Sequence, residues 1–264
     1  MSTIETGRGW TMHLGDCLEV MPTLGKVDAV VTDPPYGIDC TKTGASARKG
    51  CLFKPGLNVN VNRFTDQGKA VIAGDKSPNG AWLHLAATLM PRGTLLSFSR
   101  WDVDREWHSF IEAAGFTVRN RITWVKPNHG SGDLVAAYGC SHETIWRAQM
   151  GRIAIQVPRC GDVWNESFTE CVRHGKTHPF EKPVDIMQRL IDGDTEPCGS
   201  VLDPFAGSGT TGVACLRLGR TFIGIEKDPT YFRLACDRLR AEENGSTLQA
   251  ARAGQEALFG GVKS

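Results

Sequence analysis

The chain has 264 residues, enough for one large α/β domain or two small ones. An apolar content of 41% and a charged content of 22% are those of a soluble globular protein, and no apolar run reaches the ~18 residues of a membrane-spanning helix. A net charge of +1 excludes the strongly basic class, so composition alone does not point to nucleic acid.

Nine cysteines are scattered singly, with no C-x-x-C pair. That pattern argues against a disulfide framework and against a zinc ribbon, and it predicts reduced thiols and no metal site. The opening "MSTIETGRGW" lacks a basic-then-apolar pattern, so the expected location is cytoplasmic.

In chain order, "VDAVVT" (27–32) reads as a buried strand. It runs into "DPPYG", where two prolines stop any ladder. Residues 37–79 lack a regular rhythm. Between Thr41 and Lys76 they carry seven Lys or Arg against Asp66 and Asp75, a candidate phosphate-contacting loop. "GAWLHLAATLMPRG" (80–93) spaces Trp82, Leu85, Leu89 and Met90 as a helix. "TLLSFS" (94–99) is a strand, "DREWHSFIEAAG" (104–115) a helix closed by Gly115, and "FTVRNRITWVK" (116–126) an alternating strand. Residues 127–177 form a second irregular insertion, interrupted by the strand candidate "HETIWRA" (142–148). Strand "SVLDPF", loop "AGSG", helix "TTGVACLRLG", strand "TFIGIE" and helix "PTYFRLACDRLRAEE" then follow. This β-α-β-α run predicts a parallel sheet covered by helices. One domain over 1–244, with a loosely held tail at 245–264, accounts for the pattern.

The loop "VLDPFAGSGTTG" (201–212) contains G-x-G-x-x-G at Gly207, Gly209 and Gly212, and Glu226 ends the next strand 17 positions after Gly209. Small residues admit a close ligand, and a carboxylate at that place accepts from ribose hydroxyls, so the segment predicts a nucleoside-cofactor site. No lysine follows the glycines, which removes a P-loop. A dinucleotide, and with it a nicotinamide-dependent oxidoreductase, is the rival. Against it, Asp203 stands where a pyrophosphate would approach, and its charge suits an ammonium or sulfonium better.

"DPPYG", "LDPFAGSGTT" and "HPFEKP" together resemble the β class of S-adenosylmethionine-dependent DNA amino-methyltransferases, in which the DPPY element precedes the glycine loop. The resemblance covers roughly 11–37, 70–126, 142–148 and 178–238. It implies a doubly wound, mostly parallel, seven-stranded Rossmann-like sheet with helices on both faces and a circularly permuted motif order. It also implies S-adenosyl-L-methionine as cofactor and double-stranded DNA as partner. Residue by residue, Phe205, Gly207, Ser208, Gly209 and Thr210, with Asp203, would line the methionine end of the cofactor. Glu226 would hold the ribose, and Asp16 with Cys17 would meet the adenine, although Asp16 also suits a helix N-cap. His178 and Lys182 would lie near the methionine carboxylate.

The resemblance makes Asp33, Pro34, Pro35 and Tyr36 catalytic. An exocyclic amine is a poor nucleophile because its lone pair is delocalised into the ring. The Asp33 carboxylate and the Pro34 carbonyl would accept its two hydrogens and free that pair. Tyr36 would stack on a base flipped out of the duplex. An aspartate before the prolines is commoner in adenine-N6 enzymes and a serine in cytosine-N4 ones, so adenine is the expected acceptor, with cytosine N4 the alternative. Cytosine carbon-5 chemistry would need a cysteine after a proline, and Pro197-Cys198 lies in the wrong order for it. A non-enzymatic rival is a DNA-binding module with a decayed site.

For DNA the expected contacts are Lys42, Arg48 and Lys49 from the first insertion, and Arg147, Arg152 and Arg159 from the second, which would carry most of the base readout. In the tail, "QEALF" resembles the Q-x-x-L-F peptide that docks on the replication sliding clamp, through Gln255, Leu258 and Phe259. A homodimer is left open.

Overall fold

A computed structural model of the chain describes residues 3–35, 79–126, 138–165 and 182–246. The chain opens with β1 (Thr3–Gly7) and β2 (Trp10–Leu14), then a short helix α1 (Cys17–Val20) and β3 (Ala29–Thr32). Helix α2 (Ala81–Leu89), β4 (Gly93–Ser99), α3 (Asp104–Ala113), β5 (Thr117–Val125), β6 (His142–Met150) and β7 (Val163–Trp164) follow. The last third comprises α4 (Val184–Asp194), β8 (Ser200–Asp203), α5 (Thr210–Arg217), β9 (Thr221–Glu226) and α6 (Pro229–Glu243).

The strands form one sheet in the order β1-β2-β9-β8-β3-β4-β6-β5-β7. From β2 to β4 all neighbours are parallel, while β6 runs antiparallel to both β4 and β5. The expected count of seven is therefore corrected to nine among the described residues. Seven strands form the interior; β1 and the two-residue β7 extend the two edges. Neither edge strand leaves a period in the sequence, because β1 is almost wholly exposed and β7 is too short to alternate.

Alternation along the strands sorts the core to two faces. Val30, Leu95, Leu202 and Ile225 pack with Trp82, Leu83, Trp107 and Ile111 of α2 and α3. Val31, Leu96, Val201 and Phe222 pack with Ile186, Leu190, Val213 and Leu239 of α4, α5 and α6. The sheet is thus wound on both sides. At Gly212 in α5, an added Cβ would lie 2.6 Å from the Phe222 ring and 2.7 Å from Leu239, so a glycine is needed for the helix to sit this close to the sheet.

From β8 the chain continues to β9 on one side, whereas β3 is followed by β4 on the other. The boundary between β8 and β3 is the topological switch point, where open α/β sheets hold their ligands at the carboxyl ends of the strands.

Strand β6 passes through the middle of the second predicted insertion, which divides that segment in two. Two of its expected DNA contacts are corrected accordingly. Arg147 is buried in β6, and its Nε donates to Asp194 Oδ1 at 2.8 Å, with Nη2 2.6 Å from the same oxygen. It ties the sheet to the end of α4. Because β6 is antiparallel, Arg152 emerges beside Gly93, at the amino ends of the parallel strands. The length of β4, roughly 20 Å, separates it from the carboxyl edge. Arg159 is exposed, in the chain leading back to β7. Replacing Arg147 by alanine would strand the Asp194 carboxylate in a dry site and is expected to cost about 3–5 kcal/mol of stability, read as a lower midpoint in chemical denaturation.

Candidate active site

The carboxyl ends of β8 and β3 meet through one buried carboxylate. Asp203, 3% exposed, ends β8. Its Oδ1 accepts from Thr32 Oγ1 at 2.7 Å and from the Phe205 N–H at 3.1 Å, and its Oδ2 accepts from Thr211 Oγ1 at 2.6 Å. Burial pushes its carboxyl up to about 6, against these three hydrogen bonds, with a smaller push from nearby Asp33. The expected contact of Asp203 with the cofactor is corrected: its oxygens face inward and clamp the end of β3, the glycine loop and α5 together.

The loop beyond it is built for close approach. Gly207 (φ +53°) and Gly209 (φ +80°) are left-handed, a region that only glycine enters cheaply. A Cβ on Gly207 would meet nothing nearer than the Phe205 carbonyl at 4.0 Å, so this face of the loop is open, whereas one on Gly209 would lie 3.0 Å from Ala235 of α6. Ser208 and Thr210 are buried behind the loop, where Arg238 of α6 donates to the Ser208 carbonyl (2.9 Å), Ser208 Oγ (2.8 Å) and Thr210 Oγ1 (3.2 Å). Their hydroxyls brace the loop rather than face a ligand. Arg238 sits in an ordinary amphipathic helix and carries no signal in the sequence. The half-buried Phe205 meets Trp82 edge-on, with ring centroids 5.5 Å apart.

Glu226 closes the loop from the other side. Its Oε2 accepts from the Gly207 N–H and its Oε1 from the Asp228 N–H, both at 2.8 Å, while burial pushes its carboxyl up. In β2, Leu14 is in register with Glu226, which sets Asp16 beside it. Asp16 caps α1 through the Leu18 N–H at 2.9 Å and pairs with Lys227 at 2.8 Å. Both readings of Asp16 thus remain compatible. Cys17 packs its side chain into the core, and burial, helped by Asp16, raises its thiol to about 12. An open glycine face, with the Glu226 carboxylate at its margin, leaves room for a ligand at this edge of the sheet.

Across the switch point stands Asp33, directly after β3, with Pro34 buried and Pro35 half-buried behind it. Lys182 Nζ lies 2.8 Å from Asp33 Oδ2 and 3.0 Å from Glu143 Oε2, and 4.9 Å above the Phe98 ring. Lys126 Nζ donates to Glu143 Oε1 at 2.8 Å. Lys182, expected at a cofactor carboxylate, is thus held by two protein carboxylates. Burial would lower its pKa, but Asp33 and Glu143 outweigh that and raise it above the ordinary lysine value. Burial likewise works against ionised Glu143, yet Lys182 and Lys126 hold its carboxyl down at about 2. Glu143 was missed because a lone glutamate at the start of a strand has no spacing signature. Tyr36, His178, Lys42, Arg48, Lys49, Gln255, Leu258 and Phe259 lie outside the described residues.

The Asp203 clamp has a measurable consequence. Its acid is raised from 3.8 to about 6 on folding, so the folded state binds the proton more tightly. Its contribution to stability therefore falls as pH rises from about 4 to about 6, by at most about 3 kcal/mol, and is level above that. Denaturation of Asp203→Asn and wild type between pH 4 and 7 is expected to show the variant gaining on the wild type over that window.

Comparison with known proteins agrees with this geometry. The model of the N6/N4 methyltransferase family, described as DNA methylase, matches residues 27–237. YubD of Escherichia coli (strain K12), whose name calls it a methylase, is 36% identical over 246 residues, spanning 90% of this chain and 93% of YubD. The type II methyltransferase M2.DpnII of Streptococcus pneumoniae is 33% identical over 233 residues, 82% of this chain and 83% of that protein. The crystal structure of the M1.HpyAVI–SAM complex superposes with a TM-score of 0.61 at 28% identity, over 87% of this chain and all of that one. With a family model spanning most of its length laid over the switch-point site, this chain belongs to the N6/N4 DNA methylase family.

Proposed function

We propose that the chain is an S-adenosylmethionine-dependent DNA methyltransferase that modifies the exocyclic N6 amine of adenine in duplex DNA. The observation that carries this reading is the Asp203 clamp, which sets the Asp33 carboxylate and the open face of the glycine loop on one edge of the sheet. S-adenosylmethionine supplies a methyl group already activated on a sulfonium. Gly207 leaves room for its methionine end, and Glu226 with Asp16 takes the adenosine half.

Asp33 and the Pro34 carbonyl accept the two N–H groups of the amine and localise its lone pair. That pair forms the new N–C bond while the C–S bond breaks and its electrons return to sulfur. The nitrogen then carries one proton too many, which leaves to Asp33 or to water. Positioning supplies most of the rate, since the donor needs no further activation. The base must leave the stack to reach Asp33, and Tyr36 is its stacking partner. Aspartate before the two prolines favours adenine over cytosine N4 as acceptor. Base readout is assigned to 127–141 and 151–177. Lys126, Ser141 and Lys182, which flank parts of these segments, stand at the carboxyl edge with Asp33. Lys42, Arg48 and Lys49, with the exposed Arg159 of the second segment, would hold phosphates.

Incubation of the purified protein with plasmid DNA and a labelled methyl donor, followed by mapping of modified bases, is expected to place the label on adenine N6. Label on cytosine N4 would overturn the choice of base. Asp33→Ala is expected to lower transfer about 10²–10⁴-fold while calorimetry finds S-adenosylmethionine binding within a few-fold of wild type; binding of NAD instead would overturn the cofactor. Exchange of 127–141 and 151–177 for the matching segments of a relative, with β6 kept, is expected to change the methylated sequence. An unchanged sequence would move base readout elsewhere.

A further inference from the structure

Beyond Asp33 itself, the carboxyl edge of the sheet carries a row of charge that the transfer chemistry has not yet used. Four adjacent strands, in the order β3, β4, β6 and β5, each contribute one part. Asp33 follows β3, Phe98 lies in β4, Glu143 is in β6, and Lys126 follows β5. Lys182 sits in the middle, 2.8 Å from Asp33, 3.0 Å from Glu143 and 4.9 Å above the Phe98 ring. Lys126, 2.8 Å from the other Glu143 oxygen, completes an alternation of anion, cation, anion, cation.

We propose that Glu143 is a positioning residue for methyl transfer, acting through Lys182 on Asp33. The inference rests on the methyltransferase reading and assigns a residue that the reading does not need. Two arguments support it. First, a lysine side chain has four rotatable bonds, and its ammonium is a point charge without a preferred plane. One carboxylate would leave it loose. Two carboxylates and an aromatic face hold it from three directions, and the rotation of the Asp33 carboxylate is then set by the Lys182 contact to its Oδ2. Second, Asp33 and Lys182 alone form a neutral pair. Positive charge develops on the acceptor nitrogen as the N–C bond forms, and a neutral pair stabilises it poorly. With Glu143 included, the three groups nearest the acceptor, Asp33, Lys182 and Glu143, sum to one negative charge. Lys126, on the other oxygen of Glu143, neutralises the row as a whole but stands farthest from Asp33 along the strand order. Glu143 thus offsets the lysine that Asp33 needs for its orientation.

The test uses the full chain, the DNA substrate found for the wild type, and single-turnover transfer beside S-adenosylmethionine affinity, DNA affinity and thermal midpoint. Glu143→Gln keeps the shape and removes the charge. The expected result is transfer slowed about 10- to 100-fold, the size of loss seen when the outer partners of metal ligands are removed, with cofactor and DNA affinities within about twofold. A merely structural role would lower the midpoint and weaken binding without a selective loss in the transfer step. In a Lys182→Met background, Glu143→Gln is expected to have no further effect, because its route to Asp33 is gone. A wild-type transfer rate in Glu143→Gln, or an undiminished loss in the Lys182→Met background, overturns the proposal. Should Glu143→Gln not fold, Glu143→Asp keeps the charge but draws the carboxylate back by one methylene from Lys182; it is expected to slow transfer at least about twofold with cofactor and DNA affinities unchanged, and an unchanged rate overturns the proposal. Failure of the underlying reading is distinct: the wild type itself would then transfer no methyl group to DNA.

Discussion

The site depends on one buried carboxylate. Asp203 is the last residue of β8, and its three hydrogen bonds reach β3, the glycine loop and α5 at once. An ionised group so deeply buried is costly unless its oxygens are satisfied. Each of these bonds therefore holds its neighbour in place: Thr32 ends the strand that leads into Asp33, the Phe205 N–H begins the loop, and Thr211 begins the helix behind it. Two halves of the chain that are about 170 residues apart in sequence are locked into a common frame. A cofactor loop and an acceptor-binding carboxylate can work together only if their separation is constant, because transfer between two bound groups is steep in distance.

Around that clamp the structure uses braces of different kinds. Arg238 holds the loop from behind through a serine and a threonine hydroxyl, and Glu226 holds it in front through the Gly207 N–H. The glycines contribute by having nothing there: Gly207 opens the front of the loop, while Gly212 lets α5 lie against Phe222. On the other side of the switch point the bracing is ionic, with Lys182 shared between Asp33 and Glu143. Charges in the site are thus paired or hydrogen-bonded, which keeps them ionised at the edge of a largely apolar sheet.

Much of this arrangement could be read in the residues. The alternating strand at 116–126, the helices at 80–93 and 104–115, and the β-α-β-α run after 199 all appear where their periodicity puts them. The prolines after Asp33 and the glycines after Asp203 marked the two ends of the site. Roles within it were harder to assign. Asp203 is an acid beside a glycine loop in either case, and sequence spacing does not say whether its oxygens point outward to a ligand or inward to Thr32. Arg147 and Arg152 were grouped with DNA contacts because they are basic and follow an irregular stretch. An antiparallel strand turned one into a buried partner of Asp194 and carried the other to the far edge of the sheet.

Local pattern was enough for the fold class and the pair of motifs that bracket the site, since period, proline and glycine act on the backbone within a few residues of where they stand; the family followed from the resemblance of three motifs. What required the folded chain was every pairing of charges across it: Asp203 with Thr32 and Thr211, Lys182 with Asp33 and Glu143, Arg147 with Asp194. Those partners come from different strands and helices. Whether a side chain faces solvent, a ligand or another residue is settled only when strand order and direction bring the elements together.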